Sequence, residues 1–132
     1  MTEPPGAPTV LIADEDVGFL WWLGELFNEL GLRSLPALSS RQALSLIRKS
    51  GRQVDLLLIN PRLRGSSRLI RTLGRIRPLK VVFIQGPLVL EIAGIQPAAT
   101  IERPFGWAPV SRQEWRQKLQ RLLRQVGIRA AS

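Results

Sequence analysis

The sequence predicts a doubly wound α/β domain, a (βα)5 arrangement in which a five-stranded parallel sheet carries helices on both faces. Short apolar runs alternate with amphipathic stretches of helical period along nearly the whole chain. The apolar runs end at polar residues or prolines, which is typical of buried parallel strands. The length of 132 residues suits one domain with a sizeable core. Any site is therefore expected at the carboxyl ends of the strands.

The first strand and helix follow directly from the pattern of apolar residues. Thr9–Ala13 (TVLIA) is an apolar run that stops at three acids, so it predicts a buried strand. Val17–Leu30 has apolar residues at helical spacing and is closed by Gly31, a residue common just after a helix. Leu32–Leu38 is the second predicted strand.

A capping signature marks the second helix. Ser39 followed by Gln42 is typical of a helix N-terminus, and the apolar positions that follow continue to a stop at Gly51. Asp55–Ile59 is the third strand, which ends before Pro61 because proline cannot donate to the sheet.

Three strand and helix signals follow in the carboxyl-terminal half. A third helix is predicted over Ser67–Arg75, and Lys80–Ile84 (KVVFI) is a strongly β-forming run. Leu88–Ala93 predicts a short fourth helix, and Thr100–Arg103 predicts the last strand. A final helix, capped by Ser111, runs through residue 126.

The composition excludes most catalytic and metal-binding chemistry. The chain has no Cys and no His, so disulfides, thiolate or imidazole metal sites and His-dependent catalysis are ruled out. No segment is apolar enough to span a membrane, and the amino terminus does not resemble a signal peptide. We expect a cytoplasmic protein with a disordered tail over 1–8, one domain over 9–127 and a short tail over 128–132.

The net charge of +9 is unevenly distributed. Residues 1–32 contain acids but no Lys or Arg, and all 19 bases follow them. On the third predicted helix Arg68, Arg71 and Arg75 share one face. Such a stripe either contacts phosphates or an acidic protein surface, or is a solvated face, and it has no interleaved aromatic residues.

Four segments at the predicted strand ends resemble the receiver domains of two-component response regulators. VLIADED resembles the family's first strand with its acidic pair, and VDLLLINPRLRG resembles the strand and loop that carry the phosphorylated Asp. KVVFIQG resembles the strand that ends in Thr or Ser, and ERPF resembles the Lys-Pro-Phe motif. The resemblance covers about residues 9 to 127 and implies the flavodoxin-like receiver fold.

The family's phosphorylation pocket is altered in this chain. Asp14 and Glu15 match the acidic pair, but Asn60 stands at the phosphorylated position, and an amide cannot form an acyl phosphate. Losing that carboxylate weakens a Mg²⁺ site, so no metal or other cofactor is expected. Arg103 replaces the family's Lys, and its planar fork suits a clamp on Asp14 or Glu15. The alternative is that the acids only cap the first helix and that Asn60 only forms a turn.

The family's signalling switch is altered as well. Gln85 stands at the position of the switch hydroxyl and Thr100 at that of the switch aromatic. The spacings from Asn60 to Gln85 and from Gln85 to Arg103 are several residues shorter than usual, so the third and fourth helices are expected to be trimmed.

These observations predict a receiver domain that acts by phosphorylation-independent protein–protein interaction and is not an enzyme. On the first helix Trp22 is expected to face inward, which leaves Leu20 and Trp21 as a possible partner or self-association surface. Partial burial of each Trp is the alternative. A second hypothesis is a nucleic-acid or polyanion-binding protein that uses the Arg-rich helices.

Overall fold

The computed structural model describes residues 6–50, 53–104 and 111–129, which form a five-stranded parallel sheet in the order β2-β1-β3-β4-β5. The strands are β1 (Thr9–Ala13), β2 (Arg33–Ala37), β3 (Leu56–Ile59), β4 (Lys80–Gln85) and β5 (Ala99–Glu102). The helices of the described part are α1 (Val17–Glu29), α2 (Ser40–Ser50), α3 (Ser66–Ile76) and α4 (Arg112–Val126). This order and direction confirm the predicted flavodoxin-like α/β fold.

The sheet separates two hydrophobic clusters because successive residues of a strand point to opposite faces. Val10 and Ile12 of β1 pack with α1 and α4, whereas Leu11 and Ala13 pack with α2 and α3. The first cluster includes an aromatic group in which the rings of Trp22 and Trp115 lie 5.2 Å apart. The two helix layers therefore hold the strand ends from both sides.

The predicted fourth helix over Leu88–Ala93 is wrong. Residues 86–98 form a loop that contains one antiparallel bridge, between Ile92 and Ile95. The backbone N–H and carbonyl of Leu90 bond to the Gln85 side chain instead of to a helical neighbour. The domain therefore departs from a full (βα)5 repeat between β4 and β5.

The edge strand β2 contains a proline in its middle. Pro36 pairs in register with Ile12 of β1, and strand pairing continues on either side of it. Proline is tolerated there because alternate N–H groups of an edge strand point away from the sheet.

Several expectations fall outside the described residues. The ends of the two predicted tails (1–5 and 130–132), Gly51 and Phe105 of the ERPF motif are among them. None of the helices in the described ranges has the length and apolar character that a membrane span requires.

Candidate functional site: a carboxylate pocket closed by arginine

Polar side chains lie buried just beyond or at the carboxyl ends of three central strands. Asp14 follows β1, Asn60 follows β3 and Gln85 ends β4. The backbone places the first two, since the Asp14 N–H donates to the carbonyl of Ala37 (3.1 Å) and the Asn60 N–H to that of Ala13 (3.0 Å). The edge where parallel strands end is the usual ligand-binding edge of such a sheet.

The Asp14 carboxylate is fully buried, and both of its oxygens accept hydrogen bonds. Oδ1 accepts from the backbone N–H of Asp16 (2.8 Å). Oδ2 accepts from the guanidinium of Arg103, which follows β5. A buried carboxylate needs such partners because leaving water is costly for a charge.

Arg103 holds its position through three contacts. Besides Asp14, its Nη1 donates to Oδ2 of Asp16 (3.2 Å), and its Cζ lies 5.0 Å from the centre of the Phe19 ring. The other Asp16 oxygen accepts from the Phe19 N–H (3.2 Å) and so caps α1. One residue, Asp16, thus joins the start of the helix to the arginine.

Of the two acids predicted as alternatives for the Arg103 clamp, the structure pairs Arg103 with Asp14 and leaves the Glu15 side chain exposed. The second carboxylate that Arg103 contacts is Asp16, which the sequence did not predict for this role. The reason is local: Asp16 is the N-cap, so its side chain turns back toward the strand ends. The capping pattern just before Val17 was the available signal for Asp16, whereas nothing in the sequence signalled the Phe19 contact.

Burial raises the pKa of the Asp14 carboxyl above its usual 3.8. The loss of water around the charge is the largest influence, and the Asp16 N–H and the Arg103 cation act against it. Without the arginine the charged form of Asp14 would be less stable still.

The Asn60 side chain is used within its own turn. Its Oδ1 accepts from the backbone N–H of Arg62 (2.9 Å), and its carbonyl accepts from that of Leu63 (3.0 Å). The Ser66 hydroxyl donates to the carbonyl of Pro61 (2.9 Å) and closes the same turn onto α3. Asn60 therefore has the hydrogen bonds that a turn residue needs.

These residues do not suit the Mg²⁺ ion that the resemblance implies. Mg²⁺ prefers several hard oxygen ligands in octahedral geometry. Here the guanidinium of Arg103 bonds to an Asp14 oxygen, while Oδ1 of Asn60 is engaged by a backbone N–H. Among the described residues no three carboxylates lie close enough together to hold a metal ion. The Arg103 guanidinium thus balances the negative charge of the Asp14 carboxylate in this pocket.

Gln85 fixes the loop that replaces the fourth helix. Its Oε1 accepts from the Leu90 N–H (3.1 Å), and its Nε2 donates to the Leu90 carbonyl (3.2 Å). The Arg103 N–H donates to the Gln85 carbonyl (2.9 Å), which connects this residue to the arginine by the backbone. Both ends of the amide are therefore committed to one residue of the loop.

Thr100 lies on β5, opposite Phe83 of β4, and its side chain is exposed. Together with Gln85 and loop residues 89–97 it lines a cleft of about 660 Å³. The structure thus brings Gln85 and Thr100 to one cleft and Asp14 and Arg103 to one ion pair.

The proposed surface on α1 needs one correction. Trp21 is 60% exposed, as expected, but Leu20 is only 2% exposed and belongs to the core. The buried stripe of α1 is centred on Leu23, which brings Leu20 inward one turn earlier. Val17, which is half exposed, is the apolar residue that neighbours Trp21 at i, i+4.

The three arginines of the α3 stripe are exposed but differ in their contacts. Arg71 donates to Oγ of Ser67 and to the carbonyl of Ala93 (3.0 Å), so it holds the loop after β4. Arg68 instead lines a groove between α2 and α3. Within the described ranges, Arg75 pairs with no acid.

No protein-family model matches the chain, and no curated protein sequence does. Solved structures do resemble it. A response regulator receiver protein from Sinorhizobium medicae WSM419 has a TM-score of 0.67 at 23% identity, over 92% of this chain and 98% of that one. The signal receiver domain of an HD domain-containing protein from Pseudomonas fluorescens Pf-5 has a TM-score of 0.67 at 22% sequence identity, over 90% of this chain and 97% of that one. A CheY-like response regulator receiver domain protein from Methanospirillum hungatei JF-1 has a TM-score of 0.66 at 18% sequence identity, over 91% of this chain and 97% of that one. The chain has the receiver fold.

Proposed function

We propose that this chain is a receiver-like domain that works in signal transduction in the cytoplasm, by binding protein partners without being phosphorylated, and that it is not an enzyme. The fold likeness supports the signalling role. The ion pair between Arg103 and the buried Asp14 carries the proposal, because it compensates the acidic pocket from within the chain. The pocket then needs neither a metal ion nor a phosphoryl group to be stable.

The residue at the end of β3 supports the same conclusion. In receivers an Asp there attacks the phosphoryl group, whereas Asn60 offers an amide, which is a poor nucleophile and cannot give an acyl phosphate. Its Oδ1 is already hydrogen-bonded to the backbone N–H of Arg62.

The residues at the two switch positions, Gln85 and Thr100, support a role in which phosphorylation does not change partner binding. Receivers move a hydroxyl toward the phosphoryl group, but Gln85 has no hydroxyl and uses its amide to hold Leu90. Thr100 is too small to act as the aromatic that rotates in response. We therefore expect that Asn60→Asp alone does not restore phosphorylation-dependent signalling.

Intact-mass measurement after incubation with Mg²⁺ and acetyl phosphate tests this proposal. The wild-type chain is expected to keep its mass, and a receiver that contains the Asp, treated in parallel, is expected to gain a phosphoryl group. A stoichiometric, base-labile phosphoryl adduct on the wild-type chain would overturn the proposal.

The apolar surface of Trp21 and Val17 on α1 is the first proposed contact for a protein partner. Exposed Trp residues are frequent anchors of interfaces. A pull-down is expected to lose its partner with Trp21→Ala and to keep it with Ile76→Ala, which removes an equally exposed apolar side chain from α3. Equal recovery with both variants would exclude this surface.

The alternative of nucleic-acid binding rests on the Arg-rich surface, which includes Arg68, Arg71 and Arg75. Binding to DNA or RNA would weaken steeply with salt because phosphate contacts release counterions. Salt-insensitive binding that depends on Trp21 supports a protein partner at the Trp21–Val17 surface instead.

A further inference from the structure

A groove of about 470 Å³ lies between α2 and α3, on the face of the sheet opposite α1 and α4. Among the described residues, four arginines line it, two from α2 and two from the α3 side. They are Arg41, Arg48, Arg64 and Arg68. The groove therefore concentrates positive charge in a concave surface rather than along one helix.

These four arginines have no acidic partner in the described part of the chain. Some arginines elsewhere do have one: Arg112 pairs with Glu29 (2.5 Å), and Arg77 pairs with Asp55 (3.6 Å). Asp55 is also the only acid in the sequence between Leu30 and Leu90. Among the described residues, acids thus pair with Arg112 and Arg116 of α4 and with Arg103 of the carboxylate pocket, but with no arginine of this groove.

The rest of the lining indicates what kind of anion fits. The apolar part of the groove is Leu44 of α2, which is partly buried, beside Leu69 of α3, which is only 1% exposed, and among the described residues no aromatic side chain lines it. Single-stranded nucleic acids are usually bound through aromatic side chains on which bases stack, and a phosphate backbone gains nothing from leucines. An occupant with both apolar and acidic side chains uses the whole lining.

The groove is also fixed in shape at one end. The Ser40 hydroxyl, at the start of α2, donates to the carbonyl of Arg64 (2.8 Å). Gly65 has a φ of +80°, and an added Cβ would lie 3.4 Å from the Ser40 side chain. This close approach holds the two walls together, so a ligand would bind with little rearrangement.

We propose that the α2–α3 groove binds an acidic amphipathic helix of a partner protein. A groove between two helices accepts a third by helix packing, with Leu44 facing its apolar side chains and the arginines facing its carboxylates. This inference gives the partner chemistry for one face of the proposed binding module, so it rests on the partner-binding role. It does not depend on whether the pocket is phosphorylated.

Fluorescence anisotropy with a labelled synthetic peptide tests the proposal. The probe is a helical peptide with Leu on one face and Glu on the other, and its control has the same composition with the Leu residues spread around the helix. The double variant Arg41→Gln/Arg68→Gln removes two charges from the groove. Arg121→Gln/Arg124→Gln removes two exposed charges from α4 and is the matched control.

We expect the amphipathic peptide to bind the wild-type chain and the groove variant to bind it about tenfold more weakly, with the α4 variant unchanged. Equal loss with both double variants, or equal binding of the control peptide, would overturn the proposal. So would tighter binding of a DNA duplex of similar charge to the same groove. The phosphoryl-transfer measurement is independent of these results, so failure of one proposal is distinguishable from failure of the other.

Discussion

Replacing Arg103 by alanine removes the cation that compensates the buried Asp14 carboxylate. In the wild-type chain this side chain contacts Asp14, Asp16 and the ring of Phe19. The Asp14 carboxylate, which is fully buried, would keep only the hydrogen bond from the Asp16 N–H. The variant should therefore fold with an under-compensated charge at the carboxyl end of β1.

The expected loss of unfolding free energy follows from the three contacts. A buried acceptor left without its partner costs about 1–3 kcal/mol. The cation–π contact with Phe19 adds about 0.5–1 kcal/mol. The Asp16 side chain is half exposed, so its pair adds less than about 1 kcal/mol. We expect a total of about 1.5–5 kcal/mol, which corresponds to a decrease in Tm of roughly 5–15 °C for a domain of this size.

The loss of unfolding free energy in Arg103→Ala should become smaller as the pH falls. The pKa of Asp14 is already raised above 3.8 by burial, and removing Arg103 raises it further. An acid with a raised folded-state pKa binds its proton more tightly in the native state. Its destabilising effect is therefore complete above that pKa and declines as the pH falls through it toward 3.8. The difference in stability between variant and wild type should shrink on acidification.

Urea unfolding of both proteins at neutral pH and at mildly acidic pH measures this difference. Arg103→Lys is the control, because it keeps the charge but loses the planar fork, and it should lie between the other two proteins. A loss below about 1 kcal/mol at neutral pH, or an equal loss at both pH values, would refute the reasoning that Arg103 compensates a buried charge.

Three further predictions concern the loop, α3 and α1. Gln85→Ala removes both partners of Leu90, so faster hydrogen exchange at the Leu90 amide and a loss of about 1 kcal/mol are expected, and unchanged exchange would contradict them. Gly74→Ala should stabilise the chain by about 0.5–1 kcal/mol in thermal unfolding, since an added Cβ meets no atom within 4 Å; a lower Tm would contradict this. Leu20→Ala should cost about 2–5 kcal/mol in urea unfolding and Trp21→Ala less than about 1 kcal/mol; similar costs would contradict the assignment of one to the core and the other to the surface.

The strands and most helices were predictable because each is specified by nearby residues. The apolar runs of β1, β3 and β4 and the capping serine of α4 lie within the segments they define. The missing fourth helix was not predictable, because Leu88–Ala93 has apolar spacing compatible with a helix. The conformation of this segment depends instead on the Gln85 side chain, which hydrogen-bonds to both the N–H and the carbonyl of Leu90.

Only those parts of the site whose positions are set by the ends of the strands were predictable from the sequence. Asp14 and Arg103 follow β1 and β5, so the resemblance was enough to expect them close together. The contacts of Arg103 with Asp16 and Phe19 depend on how the turn before α1 directs its side chains. The burial of Leu20 likewise depends on the rotation of α1 against the sheet, which apolar spacing gives only to within about one residue.

The proline in β2 has a consequence for assembly of the sheet. Along this edge alternate N–H groups point away from β1, and each is unavailable to another strand. The Ser34 N–H donates to Asn28 (3.2 Å), Pro36 has none, and the Leu38 N–H donates to Gln42 (2.6 Å). A polypeptide that approached this edge would find no donor with which to extend the ladder. Filament growth and strand exchange between copies are thus disfavoured on the β2 side, because a strand added there could use only the β2 carbonyls.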